Sequence, residues 1–187
     1  MAQYPELEPI ALKWNQAGLS DGALAEITAY LFDVWIGDYC SYSRKTDIVE
    51  TTAQGFSYLF DVAAERLIAA WGVSRGRHGG ARDKARMQGH PLGNGPLYHR
   101  GHAIPHTLGG PTDINLVPQL GRINVGAFRR LEKRAVATPG SFYFTYWSYP
   151  RTRSAGTAGA DQTPVAVDQG LILPGPPPTV DMASHTN

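Results

Sequence analysis

Tyr98-His99-Arg100-Gly101-His102, Ile114-Asn115-Leu116-Val117-Pro118-Gln119 and Asn124-Val125-Gly126-Ala127-Phe128-Arg129-Arg130-Leu131-Glu132 follow one another closely in the chain. From Tyr98 to Gln119, short apolar pieces flank the glycine-proline turn Leu108-Gly109-Gly110-Pro111-Thr112-Asp113. That pattern predicts two short strands joined by an extended hairpin loop. Beyond it Ile123, Ala127, Phe128, Leu131 and Ala135 share one helical face, while Arg129, Arg130, Lys133 and Arg134 lie largely away from it. Thr138-Pro139-Gly140 ends the helix. The expected layout is strand, loop, strand, helix. It carries a histidine on the first strand, an asparagine on the second, and an amide and a carboxylate on the helix.

This set suits the cleavage of a phosphodiester, which needs a base to activate water and a cation to stabilise charge on the phosphate and the leaving oxygen. A neutral histidine serves as the base because its ordinary pKa lies near ~6.5. Oxygen ligands suit a hard cation such as Mg²⁺, which keeps several waters and takes few protein ligands. On one continuous helix Asn124 and Glu132 would stand about 12 Å apart in rise and about 80° apart in rotation. Side chains lean toward the helix N-terminus, which brings Glu132 back toward Asn124. The expectation is Asn124 in direct contact with the metal and Glu132 acting through a water on it.

The rest of the chain fits around this stretch. Its 187 residues suffice for one real core and not for two large ones. A net charge of +1 hides an asymmetry. Residues 1–74 hold 4 Lys/Arg against 10 Asp/Glu, residues 75–134 hold 11 against 3, and residues 135–187 hold 2 against 3. A central block this basic points to a polyanionic partner, with a solvated basic face as the competing reading. The single cysteine, Cys40, excludes a disulfide framework and a cysteine-rich zinc site, and its apolar surroundings predict a buried structural thiol. No basic-then-apolar leader and no span of ~20 apolar residues is visible, so the expectation is a chain made in the cytoplasm without a signal peptide and without a membrane segment.

The first 73 residues read as helical. Ser20 is an N-cap candidate ahead of Leu24, Ile27, Leu31, Val34 and Trp35, and Gly37 closes that pattern. Phe56, Leu59, Phe60, Ala63, Leu67, Ile68 and Trp71 suggest a second amphipathic helix ending at Gly72. Ser74–Gly95, rich in Gly, Arg and His, reads as loop or weakly ordered strand. Phe142–Tyr149 alternates and reads as a strand, Val165–Leu173 as a weaker one. The tail 174–187, with Pro176-Pro177-Pro178, is expected to be extended and disordered. The expected fold class is therefore α+β: a helical region 1–73 packed on a core 74–173 with additional antiparallel strands.

The three quoted segments resemble the non-specific DNA/RNA endonuclease family of ββα-metal (His-Me finger) nucleases. Its pattern is Asp-Arg-Gly-His, then Asn-(Ile/Leu)-(Thr/Val)-Pro-Gln, then Asn-x-Gly-(Ala)-(aromatic)-x-x-(Leu)-Glu. The two spacings, Asn115 to Asn124 and Asn124 to Glu132, carry most of the resemblance. It implies His102 as general base, Asn124 as the protein ligand of one divalent cation (Mg²⁺ or Mn²⁺), and Glu132 holding waters on that cation. It further implies that Asn115 orients the loop or the histidine, and that an upstream arginine, Arg82 or Arg86, meets the scissile phosphate. Arg100 and Arg129 join the expected nucleic-acid contacts. His99 stands where the family has Asp, which puts the role of that position in doubt.

Each residue also has a plainer reading. His102 could be a hydrogen-bonded structural histidine, Asn124 a helix N-cap, and Glu132 a surface carboxylate paired with Arg129. His102 and His106 have the spacing of a helical zinc pair, but Pro105 and the strand-like context argue against a helix there. Arg75, Arg77, Arg82, Lys84 and Arg86 serve phosphate binding in this context better than a solvated loop, and Gly109-Gly110 serves the turn. The functional expectation is a metal-dependent endonuclease acting on DNA, and on RNA too, with little sequence preference. It extends to a bacterial toxin or effector exported by a dedicated secretion system and met by an immunity or inhibitor protein. The alternative is a nucleic-acid-binding module on the same fold that has lost catalysis, with His99 as the motive.

Overall fold

The computed structural model describes residues 2–13, 19–81, 83–89, 91, 95–151 and 161–187. Its centre is a six-stranded antiparallel sheet in the order β1-β2-β3-β6-β7-β8, from Ile48–Ala53, Phe56–Asp61, Arg66–Val73, Phe142–Ser148, Ala166–Leu173 and Thr179–Thr186. Residues on both sides of position 73 thus share one sheet. A separate antiparallel pair, β4 (Tyr98–His102) and β5 (Leu116–Leu120), leads into two short helices, α3 (Gly121–Asn124) and α4 (Arg129–Ala137). The helices α1 (Leu7–Lys13) and α2 (Asp21–Tyr42) precede the sheet.

Strand alternation assigns a cover to each face of the large sheet. Trp71, Phe144 and Tyr146 share one face, and Trp35 of α2 stacks among them with ring centroids 5.3, 5.6 and 6.3 Å away. Tyr146 also donates its hydroxyl proton to Asp38 of α2 at 2.7 Å. Thr145, Trp147 and Gln169 occupy the other face. There Trp147 meets the ring of Phe128, just ahead of α4, at 6.0 Å, and Gln169 reaches the Phe128 carbonyl. The helical layer and the β4–β5–α4 layer therefore sandwich the sheet. Trp35, Tyr143, Phe144, Tyr146 and Trp147 are fully buried between them.

Several expectations need correction. The segment 56–71 is a hairpin and not a helix, so the N-terminal region is helical only as far as Tyr42. Its runs Phe-Ser-Tyr-Leu-Phe and Leu-Ile-Ala-Ala-Trp satisfy both periods, and a buried strand is apolar on both faces. The turn between them places Glu65 at φ 53°. Helix α2, capped by Ser20 whose hydroxyl accepts from the Ala23 N–H at 3.3 Å, runs through Gly37 to Tyr42. Burial of Trp35 and Tyr39 on the sheet outweighs the roughly 1 kcal/mol cost of an interior glycine. Cys40 is exposed, because it sits about 100° around the helix from buried Tyr39.

The tail is not disordered as a whole: Thr179–Thr186 is the edge strand β8. Beyond it Asn187 donates to the carbonyls of Pro118 and Pro164 at 2.9 and 2.8 Å and accepts from the Leu120 N–H at 2.8 Å. The helix expected across Asn124 and Glu132 breaks at residues 125–128. The strands at 142 and 166 fall within a residue of expectation, and no strand or α-helix occurs among the described residues of 74–95.

Candidate active site

The register of the β4–β5 hairpin sets the geometry. Arg100 lies opposite Pro118 and His102 opposite Leu116, so the guanidinium and the imidazole share one face. Gly101 points the other way, opposite Val117. A Cβ on Gly101 would lie 2.4 Å from Oε1 of Gln119 and 2.7 Å from its Cβ. The glycine between Arg100 and His102 therefore leaves room for the buried Gln119, which ties two separate pieces of the motif into one packing unit.

Asn115 is fully buried just ahead of β5 and closes the loop that leaves His102. Its Oδ1 accepts from the Ile104 N–H at 2.6 Å, and its Nδ2 donates to the carbonyls of Ile104 and Pro111 at 2.7 and 3.1 Å. Its own carbonyl accepts from the Ala103 N–H at 2.9 Å. Gly110 makes the clamp possible, because a Cβ there would stand 1.9 Å from the Ile104 oxygen. Pro105 and the 3-10 turn His106–Leu108 follow, ended by Gly109 at φ 99°.

Between this loop and α4 lies a cleft of about 710 Å³. His102, Asn124 and Glu132 all line it, together with Arg77, Arg100, Arg129 and Lys133. His102 keeps only 8% of its surface exposed, which holds the imidazole at the cleft wall. Asn124 ends α3 and Glu132 lies in the first turn of α4, so the helix break between them, and not one continuous helix, brings them to the same cleft. At that break the Gly126 N–H bonds to the Ile123 carbonyl at 3.2 Å, and a Cβ on Gly126 would sit 2.5 Å from the Arg122 oxygen. The N-cap of α4 is Phe128, with no side-chain cap, so Asn124 does not cap that helix.

The expected residues separate as follows. His102, Asn124, Glu132, Arg100 and Arg129 meet in the cleft, and Asn115 lies behind it, holding the loop. Arg86 forms an ion pair with Asp113 and lines a smaller cleft of about 390 Å³, which shares only Arg100 with the first. Arg82 lies outside the described residues. His99 is exposed, with its Nδ1 3.5 Å from Asn124 Nδ2. His106 is not on a helix with His102; the rings stand edge-on, 6.0 Å apart, and His106 also lines the cleft. Arg77 was expected only as one of five basic residues for phosphate binding, His106 only as half of a disfavoured zinc pair, and Lys133 only as part of the polar face of the helix. No local pattern placed these three in one cleft with His102.

The donors available are an amide oxygen, one carboxylate and an imidazole, among four cationic side chains. Among the described residues no three His, Cys, Asp or Glu side chains gather to enclose a metal on their own. An amide and a carboxylate beside open volume fit a hard cation that retains most of its waters. They do not fit a tetrahedral zinc site.

Residues 67–139 match the family described as DNA/RNA non-specific endonuclease. No curated protein sequence matches the chain. Among solved structures, the fold is similar to EndoG in the crystal structure of the EndoG/EndoGI complex, which is described as showing the mechanism of EndoG inhibition. The TM-score is 0.50 at 16% identity, over 81% of this chain and 78% of that one. Fold and family match together define an enzyme class, the nucleases that hydrolyse nucleic acid. Residues 67–139 thus hold a DNA/RNA non-specific endonuclease domain.

Proposed function

We propose that this chain is a divalent-cation-dependent endonuclease whose β4–β5–α3–α4 segment is a ββα-metal unit, with His102 as its general base. The observation that carries the reading is the convergence of His102, Asn124 and Glu132 on one cleft lined by Arg77, Arg100, Arg129 and Lys133. Asn124 would hold the cation through its amide oxygen and Glu132 would reach it through water. Mg²⁺ or Mn²⁺ suits those donors and, when bound, would supply charge stabilisation at the leaving oxygen.

The chain's own residues do the remainder. His102, in its neutral form, takes a proton from the attacking water at one of its ring nitrogens. Arg100, on the same strand face, and Arg77, Arg129 and Lys133 across the cleft seat the backbone phosphates. Contacts of this kind read charge and carry no base information, so both DNA and RNA are substrates and sequence preference is small. Cleavage that leaves the 3′ oxygen as leaving group gives 5′-phosphate ends.

A nuclease of low specificity endangers the cell that makes it. That motivates a toxin or effector role with a neutralising immunity or inhibitor protein. Expression of active enzyme without harm, and without any neighbouring protein, would argue against it. For the enzyme itself, supercoiled plasmid and single-stranded RNA should both be cut in Mg²⁺ and left intact in EDTA. Equal cutting in EDTA would contradict the cation's role.

A further inference from the structure

Between Asn124 and Glu132 the backbone leaves the helix at residues 125–128 and re-enters it at Arg129. The relative placement of the two side chains therefore depends on what holds Phe128. Its ring is fully buried against Trp147 and His185, with centroids 6.0 and 5.7 Å away. Its carbonyl accepts from Gln169 Nε2 at 2.9 Å. Gln169 is itself fully buried in the centre of β7, and the same Nε2 donates to the Tyr143 hydroxyl at 2.8 Å. Tyr143, on the neighbouring strand β6, is also fully buried.

We infer that Gln169 is a positioning residue for the cation site, fixing the break between α3 and α4 so that Asn124 and Glu132 face the same volume. This rests on the reading of Asn124 as cation ligand. A glutamine at a strand centre, where an aliphatic side chain would pack without polar cost, is otherwise hard to account for. Buried amides are retained where each bond they make is needed. Here one amide nitrogen serves both the sheet, through Tyr143, and the carbonyl that starts α4. Groups that orient ligands from behind typically change metal affinity or activity by about 10–100-fold when removed.

The test is Mn²⁺ binding by the catalytically silent His102→Ala protein, read from the free-ion EPR signal, in the backgrounds Gln169→Met and Asn124→Ala. Methionine keeps length and unbranched shape while removing the donor. Asn124→Ala should abolish binding, and Gln169→Met should weaken it by about tenfold or more. In proteins retaining His102, Gln169→Met should raise the half-saturating Mn²⁺ concentration by the same factor and leave the KM for DNA at saturating cation unchanged. A merely structural glutamine would lower thermal stability and leave the Mn²⁺ affinity at its Gln169 value, which overturns the inference. Should Gln169→Met not fold, Gln169→Glu, nearly isosteric but unable to donate when ionised, is measured in its place with the same expectation. If Asn124→Ala binds Mn²⁺ as well as its parent, the site assignment itself fails, independently of Gln169.

Discussion

Replacing Asn115 by alanine tests whether its side chain acts as the clamp on the loop that leaves His102. The substitution removes three hydrogen bonds, one accepted from the Ile104 N–H and two donated to the carbonyls of Ile104 and Pro111. Ile104 is fully buried, so both of its backbone groups would lose a partner away from solvent, at about 1–3 kcal/mol each. Pro111 is half-exposed, and water can reach its carbonyl at little cost. Taking the middle of that range, with some relief from a water entering the vacated space, gives about 3–4 kcal/mol. For a chain of this length that lowers Tm by about 10 °C. Urea unfolding followed by circular dichroism would measure it. Asn115→Asp keeps the acceptor for Ile104 N–H but turns the donor into a second acceptor facing two carbonyls, so it should be destabilised at least as much near pH 7. A loss below about 1 kcal/mol in Asn115→Ala would refute the clamp, since the two Ile104 groups alone demand more.

The cleft geometry separates the arginines. Arg77→Ala and Arg129→Ala should weaken DNA binding, each lowering the salt slope by about 1, while Arg86→Ala, whose partner is Asp113 outside the cleft, should leave both affinity and slope nearly unchanged; salt titrations of DNA binding by fluorescence anisotropy would show it. Stability should also fall in mild acid. Burial, and then the nearby Arg130, push the His185 pKa below its ordinary value of 6.5, against a smaller opposing pull from Asp168. Below about 6.5 the unfolded chain then binds the proton that the folded chain refuses. Folded stability is complete above that pH and declines as pH falls toward the lowered value. His185→Leu should flatten this part of the profile in thermal unfolding between pH 7 and 5; an unchanged slope would count against His185 as its source.

What the sequence revealed, and what it concealed, follows from how each part is held. The hairpin and its site were legible because Gly109-Gly110-Pro111 marks a turn by backbone chemistry. The residues on either side carry the spacing on which the resemblance to the endonuclease family rests. The convergence of Asn124 and Glu132 was expected for the wrong reason: a continuous helix was assumed, whereas Gly126 and the tertiary contacts of Phe128 break it. The sheet strands at 56–73 were hidden because their largely buried apolar runs fit a helical period as well as a strand's. Strand β8 was hidden by its polar composition and the prolines before it. It is ordered by pairing with β7 and by the Asn187 side chain, which are long-range contacts that no local pattern encodes. Choosing Arg77 over Arg86 required knowing which way an aperiodic Gly/Arg/His loop folds.

The most direct test of the central claim is plasmid cleavage by wild-type protein and by His102→Ala at equal concentration in saturating Mg²⁺, with folding of both verified by circular dichroism. If His102 is the general base, the variant should lose activity by about 10²–10⁴-fold while retaining its affinity for DNA and for Mn²⁺. A folded His102→Ala protein that cuts at the wild-type rate would contradict the assignment and leave the cleft without its base.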